Sequence, residues 1–114
     1  MKIFVICPVR GVTEVEKNLI KTWVDNLEWA GHKVHWPQRD TNQVDGIGLR
    51  ICQDNRAAIE AADEIHIYWN PDSKGSLFDL GIAFALRKKI VLINTVKPTA
   101  TKSFENVLLA WKTA

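Results

Sequence analysis

Asp79 stands as the lone charge in an apolar run, Gly75-Ser76-Leu77-Phe78-Asp79-Leu80-Gly81-Ile82-Ala83-Phe84-Ala85-Leu86, with no other ionisable side chain between Lys74 and Arg87. A carboxylate in such surroundings can attack an electrophilic carbon or stabilise developing positive charge. A structural reading competes with this one. Ser76-x-x-Asp79 has the spacing of a capping box, and an acid in the first turn of a helix is favoured by the dipole. Just upstream, Asn70-Pro71-Asp72-Ser73-Lys74-Gly75-Ser76 leads into a helix start whose free amides suit an anion such as phosphate, with Ser73, Gly75 and Ser76 around it. The alternative is an ordinary well-capped helix start. Trp36 and Trp69 close two apolar runs, where an indole can stack on a planar ring or pack into the core.

Other chemistries find less support. His32, His35 and His66 show no metal-ligand spacing, and lone histidines on strands are usually satisfied side chains, so no metal and no cofactor are expected. Gly46-Ile47-Gly48-Leu49-Arg50-Ile51 lacks the third glycine of a dinucleotide fingerprint and follows a loop instead of a strand. The sixth position after Cys7 is Thr13, which removes a cysteine-phosphatase loop. Cys7 and Cys52 are too few for a disulfide framework and too far apart for a redox pair, so both are expected as thiols.

The elements that must position these residues follow a βαβ rhythm. Short apolar runs at Lys2–Ile6, Lys33–Trp36, Glu64–Trp69 and Lys89–Asn94 read as strands, and the longer periodic segments between them imply right-handed crossovers. The expected fold is therefore α/β, a Rossmann-like or flavodoxin-like three-layer sandwich on a mostly parallel sheet of four or five strands. Its ligand crevice would lie outside the carboxyl ends of the strands. Thr13-x-x-Glu16 is a capping box for a first helix, with Val15, Leu19, Trp23, Leu27 and Ala30 as its apolar stripe and Gly31 as its terminator. A second helix, Gly48 to Ala62, turns Asn55 inward and Asp54 about a quarter-turn away. A third, from Ser76 to Leu86, is apolar almost all round and reads as buried, and a last one spans Ser103 to Lys112. The polar segment Pro37 to Ile47 is the longest loop and the natural lid or rim.

Composition bounds the class. The chain of 114 residues, 46% hydrophobic and 25% charged, reads as a single domain over residues 1–114. No segment approaches the roughly 20 apolar residues of a membrane span. The opening residues enter a strand pattern without the features of an export signal, so a cytoplasmic protein is expected. A net charge of +2 is too small for a nucleic-acid footprint, and Arg87-Lys88-Lys89 reads as a solvated helix end.

Taken together, Lys2-Ile3-Phe4-Val5-Ile6, Asn55-x-x-x-Ile59-x-x-Ala62-Asp63 and Gly75-Ser76-Leu77-Phe78-Asp79-Leu80-Gly81 resemble the nucleoside 2-deoxyribosyltransferase family over roughly Met1 to Asn94. They are similar also to its hydrolytic branch, the 2′-deoxynucleoside 5′-phosphate N-hydrolases. The resemblance implies cleavage of the bond between base and sugar, by a carboxylate that attacks the anomeric carbon and forms a glycosyl-enzyme resolved by water or a second base. The family's glutamate is matched by Asp79, one methylene shorter. Arg10, Gly11, Ser73 and Gly75 match the places that hold a 5′-phosphate in the hydrolytic branch. An aspartate that assists sugar binding and protonation is matched by Asn55, and a tyrosine of the first strand by Phe4. These departures leave two readings, a retuned glycosidase or a nucleotide-binding module without turnover. The resemblance also implies a small nucleoside or nucleotide as the bound partner and a homodimer or larger homo-oligomer, to which Trp111 could contribute.

Overall fold

The computed structural model describes residues 1–114. Strands β1 (Lys2–Ile6), β2 (Lys33–His35), β3 (Glu64–Ile67) and β4 (Lys89–Leu92) form one sheet in the order β2-β1-β3-β4, and every pairing is parallel. The helices are α1 (Glu14–Trp29), α2 (Pro37–Asp40), α3 (Leu49–Ala61), α4 (Lys74–Ala85) and α5 (Phe104–Trp111). Strand alternation separates two cores. Ile3 and Val5 pack with Ile20 and Val24 of α1, whereas Phe4 and Ile6 pack with Ile59 of α3, Leu80 and Ala83 of α4 and Leu108 of α5. The molecule is thus the expected three-layer α/β sandwich with four strands. Its order reverses between β1 and β3, so a crevice is favoured at their carboxyl ends.

Three strands end earlier than their apolar runs. Trp36, Trp69 and Asn94 lie past the ladder, and Asn94 takes over from it: its Oδ1 accepts the Trp69 N–H at 2.8 Å and its Nδ2 donates to the Trp69 carbonyl at 2.9 Å. One side chain thereby fixes the loop that leads to α4.

Helix α1 begins with the expected capping box, Thr13 Oγ1 accepting from the Glu16 N–H at 3.1 Å and Glu16 accepting from the Thr13 N–H at 3.2 Å. Its inward face differs from the expected stripe. Ile20 and Val24 are buried, while Val15 is 77% exposed and Leu19 is also exposed. Two apolar rows run side by side along α1, and the helix turns the row with two β-branched residues into the sheet.

The segment Pro37–Ile47 is not all loop. Pro37 opens the short helix α2, and Asp40 accepts the Trp36 N–H at 2.9 Å. Arg39 donates to both Glu28 carboxylate oxygens at 2.9 and 3.2 Å, and Arg50 donates to the carbonyls of Asn42 and Val44 at 2.6 and 3.0 Å. These bonds tie the expected lid to α1 and α3.

Helix α4 starts two residues before its expected start, at Lys74. Ser73 is its N-cap and accepts the Ser76 N–H at 3.2 Å. Asp79 is consequently the sixth helical residue, in the second turn, and the capping-box reading of Ser76 and Asp79 is corrected. Nor is α4 buried all round: Phe78 is 57% and Phe84 61% exposed, with Leu77 and Leu86 also open. The sequence shows that face to be apolar but does not show whether the same chain covers it.

Candidate active site

Asp79 projects from the second turn of α4 at the carboxyl end of the sheet and is only 9% exposed. Burial raises its pKa from the ordinary carboxylate value to about 7, and the Asn55 side-chain amide opposes that rise by hydrogen bonding to the charged form. Asn55 is buried on α3, as its helical phase requires, and Asp54 faces solvent in an ion pair with Arg50 at 2.7 Å. Asp79 is therefore a carboxylate poised between its two protonation states near neutral pH, as an acid or base in catalysis needs to be.

Asn55 is oriented from behind. Thr41 Oγ1, also buried, donates to Asn55 Oδ1 at 2.7 Å, and His35 Nε2 lies 2.8 Å from the same Thr41 hydroxyl. The hydroxyl has one proton, and it goes to Asn55, so the His35 nitrogen is the donor in the second bond. The His35 ring lies flat on Phe4, centroids 5.4 Å apart and planes 10° from parallel. Burial lowers the His35 pKa, Asp40 and Asp54 partly offsetting this.

Cys7 closes the β1 side. Its thiol is pushed up to about 12, chiefly by burial, with the nearby Asp79 charge adding to the rise. A thiol at that value is almost wholly protonated at neutral pH and is a poor nucleophile. The buried Trp36 indole N–H has no oxygen or nitrogen partner and faces Cys7.

The serines of the α4 turn are bonded to each other, Ser73 Oγ donating to Ser76 Oγ at 2.8 Å. Ser76 is 1% exposed, so its hydroxyl braces the turn from inside, and its N–H is taken up by the Ser73 cap. Nothing lies within 4 Å of the place a Cβ on Gly75 would take, which leaves the helix start open to approach. Gly11 has a φ of +67°, and the turn it makes after β1 carries Arg10, which is exposed and forms no ion pair. Trp69 is pinned by its indole N–H to Glu105 at 2.6 Å and packs in the α4–α5 core, and Trp36 packs in the α1 core.

The structure thus brings Asp79 and Asn55 together, sets Ser73, Ser76 and Gly75 one to two turns before Asp79 on the same helix, and carries Arg10 and Gly11 on the loop beyond β1. It turns both tryptophans into core residues in this conformation. Thr41 and His35 were missed by sequence reasoning. The usable signal was positional: both lie on β2 or directly after α2, at the same end of the sheet as the other site residues.

No protein-family model and no curated protein matches the chain. Among solved structures, its fold is similar to that of the 2-deoxyribosyltransferase of the psychrotolerant bacterium Bacillus psychrosaccharolyticus, with a TM-score of 0.67 and 20% identity over 81% of this chain and 71% of that one. It is similar also to a CMP N-glycosidase of Clostridium botulinum, with a TM-score of 0.61 and 22% identity over 81% of this chain and 66% of that one, just under two thirds of its length. The chain shares the nucleoside deoxyribosyltransferase-like α/β fold. No helix is long and apolar enough to cross a membrane.

Proposed function

We propose that this protein cleaves the bond between base and sugar of a nucleoside 5′-monophosphate or nucleoside, with Asp79 as nucleophile. The observation that carries the reading is the buried carboxylate with its pKa near 7, backed by one amide donor at the crevice end of the sheet. Both structural neighbours are named for chemistry at that bond. Ionised Asp79 attacks the anomeric carbon as the carbon–nitrogen bond breaks and its electron pair passes to the base. The departing base takes its proton from solvent. Water, or a second base, resolves the resulting ester and restores the carboxylate. Asn55 holds the carboxylate and the sugar. Arg10, Gly11, Ser73 and Gly75 surround the 5′-phosphate, with the α4 amides as donors and Ser76 bracing the turn.

Asn55 favours one second reading. An amide cannot supply the proton that a carboxylic acid in its place would, and a pocket with that exchange suits a nucleotide-binding module without turnover. Incubation with a panel of nucleosides and their 5′-monophosphates, followed by chromatography for free base, separates the two. Base release, faster from the monophosphates, is the expected result; binding without release from any of them supports the module.

The partner in assembly is proposed to be a second copy of the chain. Leu77, Gly81, Phe84, Phe104, Val107 and Trp111 line an apolar groove of about 440 Å³ across α4 and α5. An apolar groove left open on one copy is where a second can seat, and an isologous contact would bring the α4 helices of two copies together.

A further inference from the structure

We infer that Thr41 and His35 are positioning residues for Asp79: they lock the Asn55 amide in the one orientation that donates to the carboxylate. The inference rests on the proposed role of Asp79 and deepens it. Two hydrogen bonds run in one direction, His35 Nε2 to Thr41 Oγ1 at 2.8 Å and Thr41 Oγ1 to Asn55 Oδ1 at 2.7 Å, and they leave the N–H end of the Asn55 amide to act on Asp79. A primary amide has a donor and an acceptor end of nearly equal shape, and an unrestrained Asn55 could offer Asp79 either one. The carbonyl end would repel a carboxylate and accept from a carboxylic acid, so it would hold Asp79 protonated. Thr41 takes up that carbonyl end. His35 Nε2–H holds the hydroxyl oxygen in place and does not compete for its proton, which leaves that proton to Asn55.

The arrangement answers the departures in this sequence. Where the resemblance places an aspartate, the chain has an amide, and an amide is useful beside a nucleophile only when its N–H end faces it. His35 is the outer end of the chain. It lines a cleft of about 440 Å³ beside β2, and its flat contact with Phe4 fixes the ring plane that aims Nε2 at Thr41. The charged and titratable groups that face the assembly are few: Asp40 and Arg39 of α2 and Asp54 of α3 act on His35, and Cys7 of β1 lies beside Asp79. All of them stay in place in the variants below.

The test is a direct titration of Asp79 by carbon-13 NMR of protein labelled at the aspartate side-chain carboxyl carbon, with Asp79→Asn used to assign the resonance. Thr41→Val, which keeps the shape and removes the hydroxyl, is expected to raise the Asp79 midpoint by about one pH unit, a tenfold loss of ionised carboxylate at a pH below both midpoints. Thr41→Ser restores the hydroxyl and is expected to leave the midpoint where the wild type has it. Should Thr41→Val fail to fold, His35→Phe reads the same chain one bond back, because phenylalanine keeps the stack on Phe4 and loses the donor; it too is expected to raise the midpoint. An unchanged midpoint in the folded valine variant, or in His35→Phe where that is the variant read, would overturn the inference. A raised midpoint in a protein that releases no base from any nucleotide would leave it standing and count against the proposed activity alone.

Discussion

Asp79 keeps its proton in the folded protein over a range where the unfolded chain has already lost it. Its folded pKa of about 7 lies above the ordinary 3.8, so stability falls as pH rises from about 4 to about 7, by an amount of the order of 4 kcal/mol when the shift is realised in full. A buried acid that costs stability when ionised is the kind of group function retains and stability does not. Asp79→Asn removes that cost. Chemical denaturation at pH 5 and pH 8 is expected to show the variant gaining on the wild type at the higher pH; an equal difference at both would mean that Asp79 is ordinary surface acid. The residue was legible in the sequence as a lone charge in an apolar helix, but its place in the second turn was not. Ser73 and Ser76 both have N-cap chemistry, and only the folded turn shows that Ser73 caps while Ser76 is enclosed.

At the scale of elements, β3 and α1 are joined by a polar contact that periodicity could not announce. The Trp23 indole N–H donates to His66 Nδ1 at 3.0 Å, and His66 Nε2 bonds to Glu64 at 3.0 Å, so both ring nitrogens are satisfied only in the neutral form. Burial lowers the His66 pKa below the ordinary 6.5, although Glu64 pulls the other way. The stability this contributes is present above about pH 6.5 and is lost as pH falls through the lowered value. Trp23→Phe is expected to cost about 1–3 kcal/mol at pH 7.5, the usual penalty for a buried acceptor left unmade. In urea unfolding the cost should shrink as pH falls through the lowered His66 value, because the protonated ring has no acceptor to offer the indole; an undiminished cost would mean that the hydrogen bond contributes nothing. The strand and helix order was readable from the alternation of short and long apolar runs. The rotation of α1 was not, since Leu19-Ile20 and Trp23-Val24 present two adjacent rows and only packing chooses between them. The helix in Pro37–Asp40 was hidden for another reason: four residues are too short for a period, and its anchors, Glu28 and Asp40 on Arg39, come partly from a distant helix.

For the whole molecule, sequence reasoning reached the layers and missed what one copy leaves open. Helix α4, expected to be buried, keeps an apolar exposed face that continues onto α5, and a second copy is the proposed cover. Light scattering is expected to give a dimer for the wild type and a monomer for Phe84→Glu, which sets a charge on a side chain that is 61% exposed in one copy. A wild-type monomer at micromolar concentration would contradict that assembly without touching the site. The site itself rests on one claim, that the Asp79 carboxylate breaks the bond between base and sugar. Its most direct test is the rate of base release from the preferred nucleotide across pH 5 to 9, measured by chromatography for wild type and Asp79→Asn side by side. The wild-type rate is expected to rise with pH, to level off above a midpoint of about 7, and to exceed the Asp79→Asn rate by at least roughly a hundredfold on the plateau. Equal rates for the two proteins, or no base released by the wild type from any nucleotide or nucleoside, would contradict it.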